Sequence, residues 1–238
     1  MRKQELSAAH PIGDELNYVA REAYNLLRAN LSFTLMGGNG RGAVIAVTSA
    51  CPGEGKSYTT VNLAYSLACA GHKVLLIDAD MRRPSLCRVL KAQHTAGLSN
   101  ILVGRNDASV AQEILTAGMY YIGAGDCPPN PSELIGSEAM GKFIDEMRGI
   151  YDYVLIDTPP VLAVSDCLAL AKYTDGFLMV VRHGKTRRRD IKEAQRSLAF
   201  SGTKVLGFVY NGMPAQRSSR YAGYKYKTSG GEASPETK

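Results

Sequence analysis

Apolar residues recur at spacings of three and four from Glu15 to Met36 (Leu16, Val19, Ala20, Ala23, Leu27, Leu31, Leu35), which predicts an amphipathic helix ended by Gly37-Gly38-Asn39-Gly40. Beyond it, short apolar runs alternate with amphipathic segments of helical length. Strands are predicted over 43–49, 73–78, 119–122, 153–157, 176–181 and 204–210, and helices over 57–70, 131–148, 165–172 and 187–200. Shorter helical pieces are expected in the polar stretch up to about residue 117. Strict alternation of strand and helix implies a mostly parallel sheet with helices on both faces, and continuous runs such as Val74-Leu75-Leu76-Ile77 suit strands buried on both sides. The expected fold class is a doubly wound α/β domain.

The flanks lack this periodicity. Residues 1–14 are polar, contain Pro11 and Gly13, and read as an N-terminal arm; 15–213 form the domain; 214–238 read as a flexible, tyrosine-rich tail. The 238 residues carry 28 Lys and Arg against 22 Asp and Glu, a formal charge of +6. From Met213 onward five cations face two acids, so half of that excess belongs to the tail. No apolar run approaches the roughly 20 residues that cross a bilayer, and no secretory h-region follows the N-terminus, so a soluble, cytoplasmic chain is expected. The five cysteines form no C-x-x-C pair and read as reduced thiols, and the four scattered histidines carry no assignment.

Between the first strand and its helix stands Ala50-Cys51-Pro52-Gly53-Glu54-Gly55-Lys56-Ser57, a P-loop pattern with alanine for the first glycine. Gly53 and Gly55 let successive N–H groups turn toward phosphate oxygens, and the following helix, with Tyr58 in its first turn, adds its positive end. Lys56 is suited to the terminal phosphates and Ser57 to Mg²⁺. Two apolar runs end in acids: Val74 to Ile77 leads into Asp78-Ala79-Asp80, and Tyr153 to Ile156 into Asp157. In an extended exit, residues two apart face the same way, so Asp78 and Asp80 are expected to share one metal-phosphate centre with Asp157. An isolated acid at a strand end would only cap a turn. Two such runs beside a P-loop, all where open α/β sheets place ligands, point to a nucleotide site.

The set Ser49 to Ser57, Asp78-Ala-Asp80-Met-Arg-Arg-Pro84 and Asp157-Thr-Pro-Pro160 with Ser165-Asp166 resembles the Walker A, A′ and B motifs of the bacterial tyrosine kinases of capsule and exopolysaccharide operons, the BY-kinases. Gly123-Ala-Gly125 leading to Pro128-Pro129-Asn130-Pro131-Ser132-Glu133-Leu134 is also similar to that family, and here Asn130 is expected to cap a helix with Glu133 closing a capping box. The resemblance implies a P-loop NTPase-like fold and an ATP- and Mg²⁺-dependent protein-tyrosine kinase. It further implies autophosphorylation of Tyr221, Tyr224 and Tyr226, although a sticky or nucleic-acid-stacking tail is the bland alternative for this basic, aromatic segment. The implied roles are Lys56 with the P-loop residues Gly53, Glu54, Gly55, Ser57 and Tyr58 for nucleotide, Ser57, Asp80 and Asp157 for metal, and Asp78 for the incoming tyrosine, as its orienter or its base. Asn211 is assigned either to adenine or to a turn. Lys56→Ala is expected to leave the fold intact.

No membrane segment precedes the kinase motifs, so the chain resembles the split form of the family. This implies a membrane activator of the chain-length-regulator type that recruits it to the inner face of the plasma membrane, a tyrosine phosphatase, and no nucleic acid. A homo-oligomer is implied in which one tail enters a neighbour's site. The family's oligomer helix reads Glu-x-x-Arg-x-x-Arg, whereas here Asn25 stands between Glu22 and Arg28, which implies a weaker assembly. The runner-up class is the ATPases that position chromosomes, plasmids and division sites; their signature lysine is Cys51 here, and they lack a terminal tyrosine cluster.

Overall fold

A computed structural model describes residues 11–35, 41–93 and 96–214. The chain order is α1 (Tyr18–Thr34), β1 (Ala43–Ser49), α2 (Lys56–Cys69), β2 (Val74–Asp78), α3 (Leu86–Leu90), α4 (Leu98–Leu102), β3 (Gln112–Glu113), β4 (Met119–Ile122), α5 (Pro131–Ile135), α6 (Glu138–Ile150), β5 (Tyr153–Asp157), α7 (Asp166–Ala169), β6 (Gly176–Arg182), α8 (Arg188–Phe200) and β7 (Val205–Asn211). The strands form one sheet in the order β3-β4-β2-β5-β1-β6-β7, parallel throughout except for the β3–β4 pair.

Period-two alternation divides the core. Val44, Ala46, Leu75, Ile77, Val154 and Ile156 pack on the face covered by α4 to α8, where Leu98, Phe143, Ile144 and Leu198 meet them. Ile45, Val47, Val74, Leu76 and Leu155 pack on the other face under α1, α2 and α3 with Leu31, Leu63, Leu67 and Leu86. Both faces of the central strands are therefore dry, and the hydrophilic chemistry is confined to the strand ends.

Four local features depart from the sequence expectation. Residues 11–14, assigned to the arm, dock on α2: Gly13 is buried, its N–H donates to Asn62 Oδ1 at 2.9 Å, and Tyr65 donates to Asp14 at 2.6 Å. Helix α1 starts at Tyr18 because Asn17 Oδ1 accepts the Ala20 N–H at 2.9 Å. The single helix expected over 131–148 is two, because Gly136 ends α5 and Ser137 caps α6 by accepting the Met140 N–H. Pro131 does open α5, but Asn130 makes no cap bond and donates its amide to Glu133 instead, so the expected capping box is not formed.

Candidate nucleotide site

The P-loop leaves β1 and closes in two left-handed residues, Gly53 (φ +74°) and Gly55 (φ +93°), before α2 begins at Lys56. Only glycine adopts these angles readily. At Gly55 the requirement is also spatial, since a Cβ there would lie 2.0 Å from Asn211 Nδ2. Asn211, the last residue of β7, donates that amide to the Glu54 carbonyl at 3.0 Å, so the end of the sheet props the loop from behind. Glu54 is buried and turned back: its carboxylate accepts the Cys51 N–H at 3.1 Å and the Thr186 hydroxyl. Lys185 and Arg182 complete the brace by donating to the carbonyls of Pro52 and Gly53.

Parallel pairing places Asp78 directly beside Asp157, and both run out at the same edge as the P-loop. Lys56 Nζ lies 3.3 Å from Asp157 Oδ2 and 3.6 Å from Asp80 Oδ2. The Ser57 hydroxyl donates to Asp157 at 2.6 Å and in turn accepts from Ser85 at 2.8 Å. Asp78 accepts three backbone N–H bonds, from Asp80 at 3.1 Å, Ser85 at 3.1 Å and Leu86 at 3.0 Å, and so shapes the loop that carries Asp80. The expected residues Lys56, Ser57, Asp78, Asp80 and Asp157 thus converge.

Burial and the charge of Asp157 push the Asp78 carboxyl up to about 7, against the N–H donors and Lys56. Burial also raises Asp157, opposed chiefly by Lys56 and Ser57. Burial would lower Lys56, but Asp157, Asp80 and Asp78 outweigh it and hold the ammonium charged. A raised Asp78 means that the folded, nucleotide-free protein binds a proton that the unfolded chain releases near the ordinary carboxyl value of about 3.9. That contribution to stability is present at the acid end and declines as pH rises through about 7. Urea unfolding of nucleotide-free protein should give a higher midpoint at pH 6 than at pH 8, with the difference reduced in Asp78→Asn; an unchanged difference would remove Asp78 as its source.

The site fits a nucleotide with a hard cation. A P-loop of left-handed glycines ahead of a 14-residue helix suits phosphate, and Ser57, Asp80 and Asp157 offer oxygen donors. Among the described residues no three His, Cys, Asp or Glu side chains form a protein-only metal cage. Mg²⁺ in nucleotide enzymes is ordinarily shared between one or two carboxylates, water and phosphate.

Tyr58 sits in the first turn of α2 with its ring half-buried against the α1 side of the core. Tyr221, Tyr224 and Tyr226 lie outside the described residues. Sequence reasoning missed a second network. Arg82 donates bidentately to Asp166 at 2.8 and 3.1 Å, and Ser132 donates to the same buried carboxylate, tying the Asp80 loop to α5 and α7. Burial would raise Asp166, but these donors prevail and hold it below the usual carboxylate range. All three residues lie in motifs visible in the sequence, yet nothing local reveals a bond across 84 positions.

Residues 42–186 match the family model described as an AAA domain. The chain is 37% identical to tyrosine-protein kinase YwqD of Bacillus subtilis (strain 168), over 87% of this chain and 86% of the relative. It is 37% identical to tyrosine-protein kinase CpsD of Streptococcus agalactiae serotype III (strain NEM316), over 80% and 81%. Among solved structures, the kinase domain of Escherichia coli tyrosine kinase ETK is similar with a TM-score of 0.79 and 33% identity, over 87% of this chain and 80% of that one. The septum site-determining protein MinD of Pyrococcus horikoshii OT3, complexed with Mg-ADP, shares the fold at 22% identity over 75% and 76%, with a TM-score of 0.61.

Proposed function

The chain belongs to the bacterial tyrosine-protein kinases, and from that premise we propose that it transfers the γ-phosphoryl group of ATP to Tyr221, Tyr224 and Tyr226 of its own C-terminal cluster. The observation that carries the reading is the convergence of Lys56, Ser57, Asp80 and Asp157 at one sheet edge, with the chain leaving that edge at Asn211, itself bonded to the P-loop. Phosphoryl transfer has a loose transition state, so the protein's work is positioning and charge neutralisation. Lys56 exchanges carboxylate for β- and γ-phosphate oxygens, and the P-loop N–H groups hold the same phosphates. Ser57, Asp80 and Asp157 would hold Mg²⁺, which would supply neutralisation of phosphate charge. The tyrosine oxygen bonds to the γ-phosphorus, the bond to the bridging oxygen breaks and ADP departs. The phenolic proton passes to Asp78, the carboxylate assigned to the incoming tyrosine.

The same family membership supports regulation of capsular or exopolysaccharide synthesis and export, an activator at the membrane, a phosphatase that resets the tail, and recruitment to the inner membrane face. Among the described residues no helix is long and apolar enough to cross a membrane. For the assembly, Asn25 is engaged within the chain. Its amide donates to Glu22 at 3.0 Å, its oxygen accepts from Ser66 at 3.2 Å, and Arg28 donates to the Ser66 carbonyl at 2.6 Å. These internal bonds support weak homo-oligomer contacts through α1, and entry of tails into neighbouring sites rests on the family membership alone. Truncation after Pro214 should remove most phosphotyrosine while nucleotide affinity stays near wild type, as read by phosphosite mass mapping and calorimetry. Loss of nucleotide binding would instead make the tail part of the nucleotide site.

A further inference from the structure

Between residues 185 and 196 six cations (Lys185, Arg187, Arg188, Arg189, Lys192, Arg196) stand against two acids, Asp190 and Glu193. Lys185 is committed to the P-loop carbonyls. The other five are exposed, and none makes a side-chain hydrogen bond or ion pair among the described residues. Arg188, Arg189, Lys192 and Arg196 stand together on one exposed face of α8, with Glu193 as its acid. No side chain caps the N-terminus of α8, whose N-cap position is Arg187, so the positive end of the helix adds to the same field.

The chain leaves the sheet beside this face. Strands β6 and β7 are parallel and pair Arg182 with Asn211, and α8 begins six residues after Arg182. Tyr221 follows Asn211 by ten residues, an extended reach of about 33–36 Å, and the 13 residues of α8 span only about 20 Å. The chain is therefore long enough for all three tail tyrosines to span this face of α8.

Charge decides when they occupy it. The unmodified tail carries +3 and is repelled by a segment of net +4. Three phosphotyrosines, each adding about −1.5 to −2, bring the tail to roughly −1.5 to −3 and reverse the sign of the interaction. Arginine guanidinium groups without other partners are suited to bidentate phosphate bonds. We propose that the triply phosphorylated tail docks in cis on the arginine face of α8, between Arg188 and Arg196, which withdraws it from the catalytic edge of neighbouring copies. This inference rests on the assignment of Tyr221, Tyr224 and Tyr226 as the acceptors.

The test installs the phosphates chemically, so it does not depend on the kinase reaction. Full-length chain is assembled by ligating a synthetic 215–238 segment (with Ala215→Cys at the junction) that carries a dye on Lys238 and either three phosphotyrosines or three tyrosines. Dye anisotropy should rise toward that of the folded body only in the phosphorylated chain, independently of protein concentration. The rise should be lost in 1 M salt, where the Debye length is about 3 Å. It should also be lost in the exposed-surface variant R188Q/R189Q/K192Q/R196Q. Equal anisotropy in the two chains, a rise that survives the quadruple variant, or a rise only at high protein concentration would overturn cis docking on α8. So would capture of phosphatidylglycerol vesicles by α8 in the phosphorylated chain, which would assign the face to anionic lipid.

Discussion

Lys56→Ala should reduce phosphotyrosine formation by about 10²–10³-fold or more, the scale seen when one preorganised charge-stabilising donor is removed. It should also weaken the fold. Lys56 is only 9% exposed and is the counter-charge of Asp157 and Asp80, with Asp78 close by. Removing one partner of a buried pair costs about 3–5 kcal/mol because the other charge is left without compensation. The sequence expectation of an untouched fold is therefore corrected. The sign with pH follows from the carboxylates. Without the ammonium their affinity for protons rises further, so the folded variant binds more protons than its unfolded chain and is stabilised by acid. Urea unfolding should show a larger deficit at pH 8 than at pH 6, and Lys56→Met, which keeps much of the volume, should share it. A variant as stable as wild type at pH 8 would contradict this account of the buried cluster.

Gly55→Ala should abolish nucleotide binding, whereas Gly53→Ala should weaken it by about tenfold. Both residues have positive φ, and an L-residue there costs roughly 1–2 kcal/mol, close to the 1.4 kcal/mol of a tenfold change. The difference lies in what the new methyl group meets. At Gly53 it meets the flexible tip of Lys185 at 2.7 Å, which can move away. At Gly55 it would overlap the Asn211 amide at 2.0 Å, and that amide holds the Glu54 carbonyl. Gly55→Ala combined with Asn211→Gly should recover part of the affinity in calorimetry. Equal effects of the two single substitutions would mean that β7 does not brace the loop.

Much of this was legible beforehand for a physical reason. Strands buried on both faces are continuous apolar runs, so Ala43–Ser49, Met119–Ile122 and Tyr153–Asp157 are bounded as the pattern indicated. Strand β3 was missed because two residues, Gln112 and Glu113, carry no periodicity. The carboxylates were found because their place at strand ends is local information. The brace of Arg182, Lys185 and Thr186 on the P-loop was not, since it joins residues about 130 positions apart through loop geometry. Lys56 could be assigned to phosphate from its motif, but its burial among three acids is a consequence of strand register that the motif does not contain.

In the proposed reaction the γ-phosphate ends on tyrosine and not in water. Full-length protein incubated with Mg²⁺ and γ-labelled ATP, with and without the cytoplasmic segment of a candidate membrane activator, should place label on Tyr221, Tyr224 and Tyr226 in mass mapping, and Lys56→Ala should place it about 10²–10³-fold more slowly or worse. Stoichiometric release of the label as free inorganic phosphate, with no tyrosine modified under either condition, would contradict the claim and identify the site as that of an ATPase.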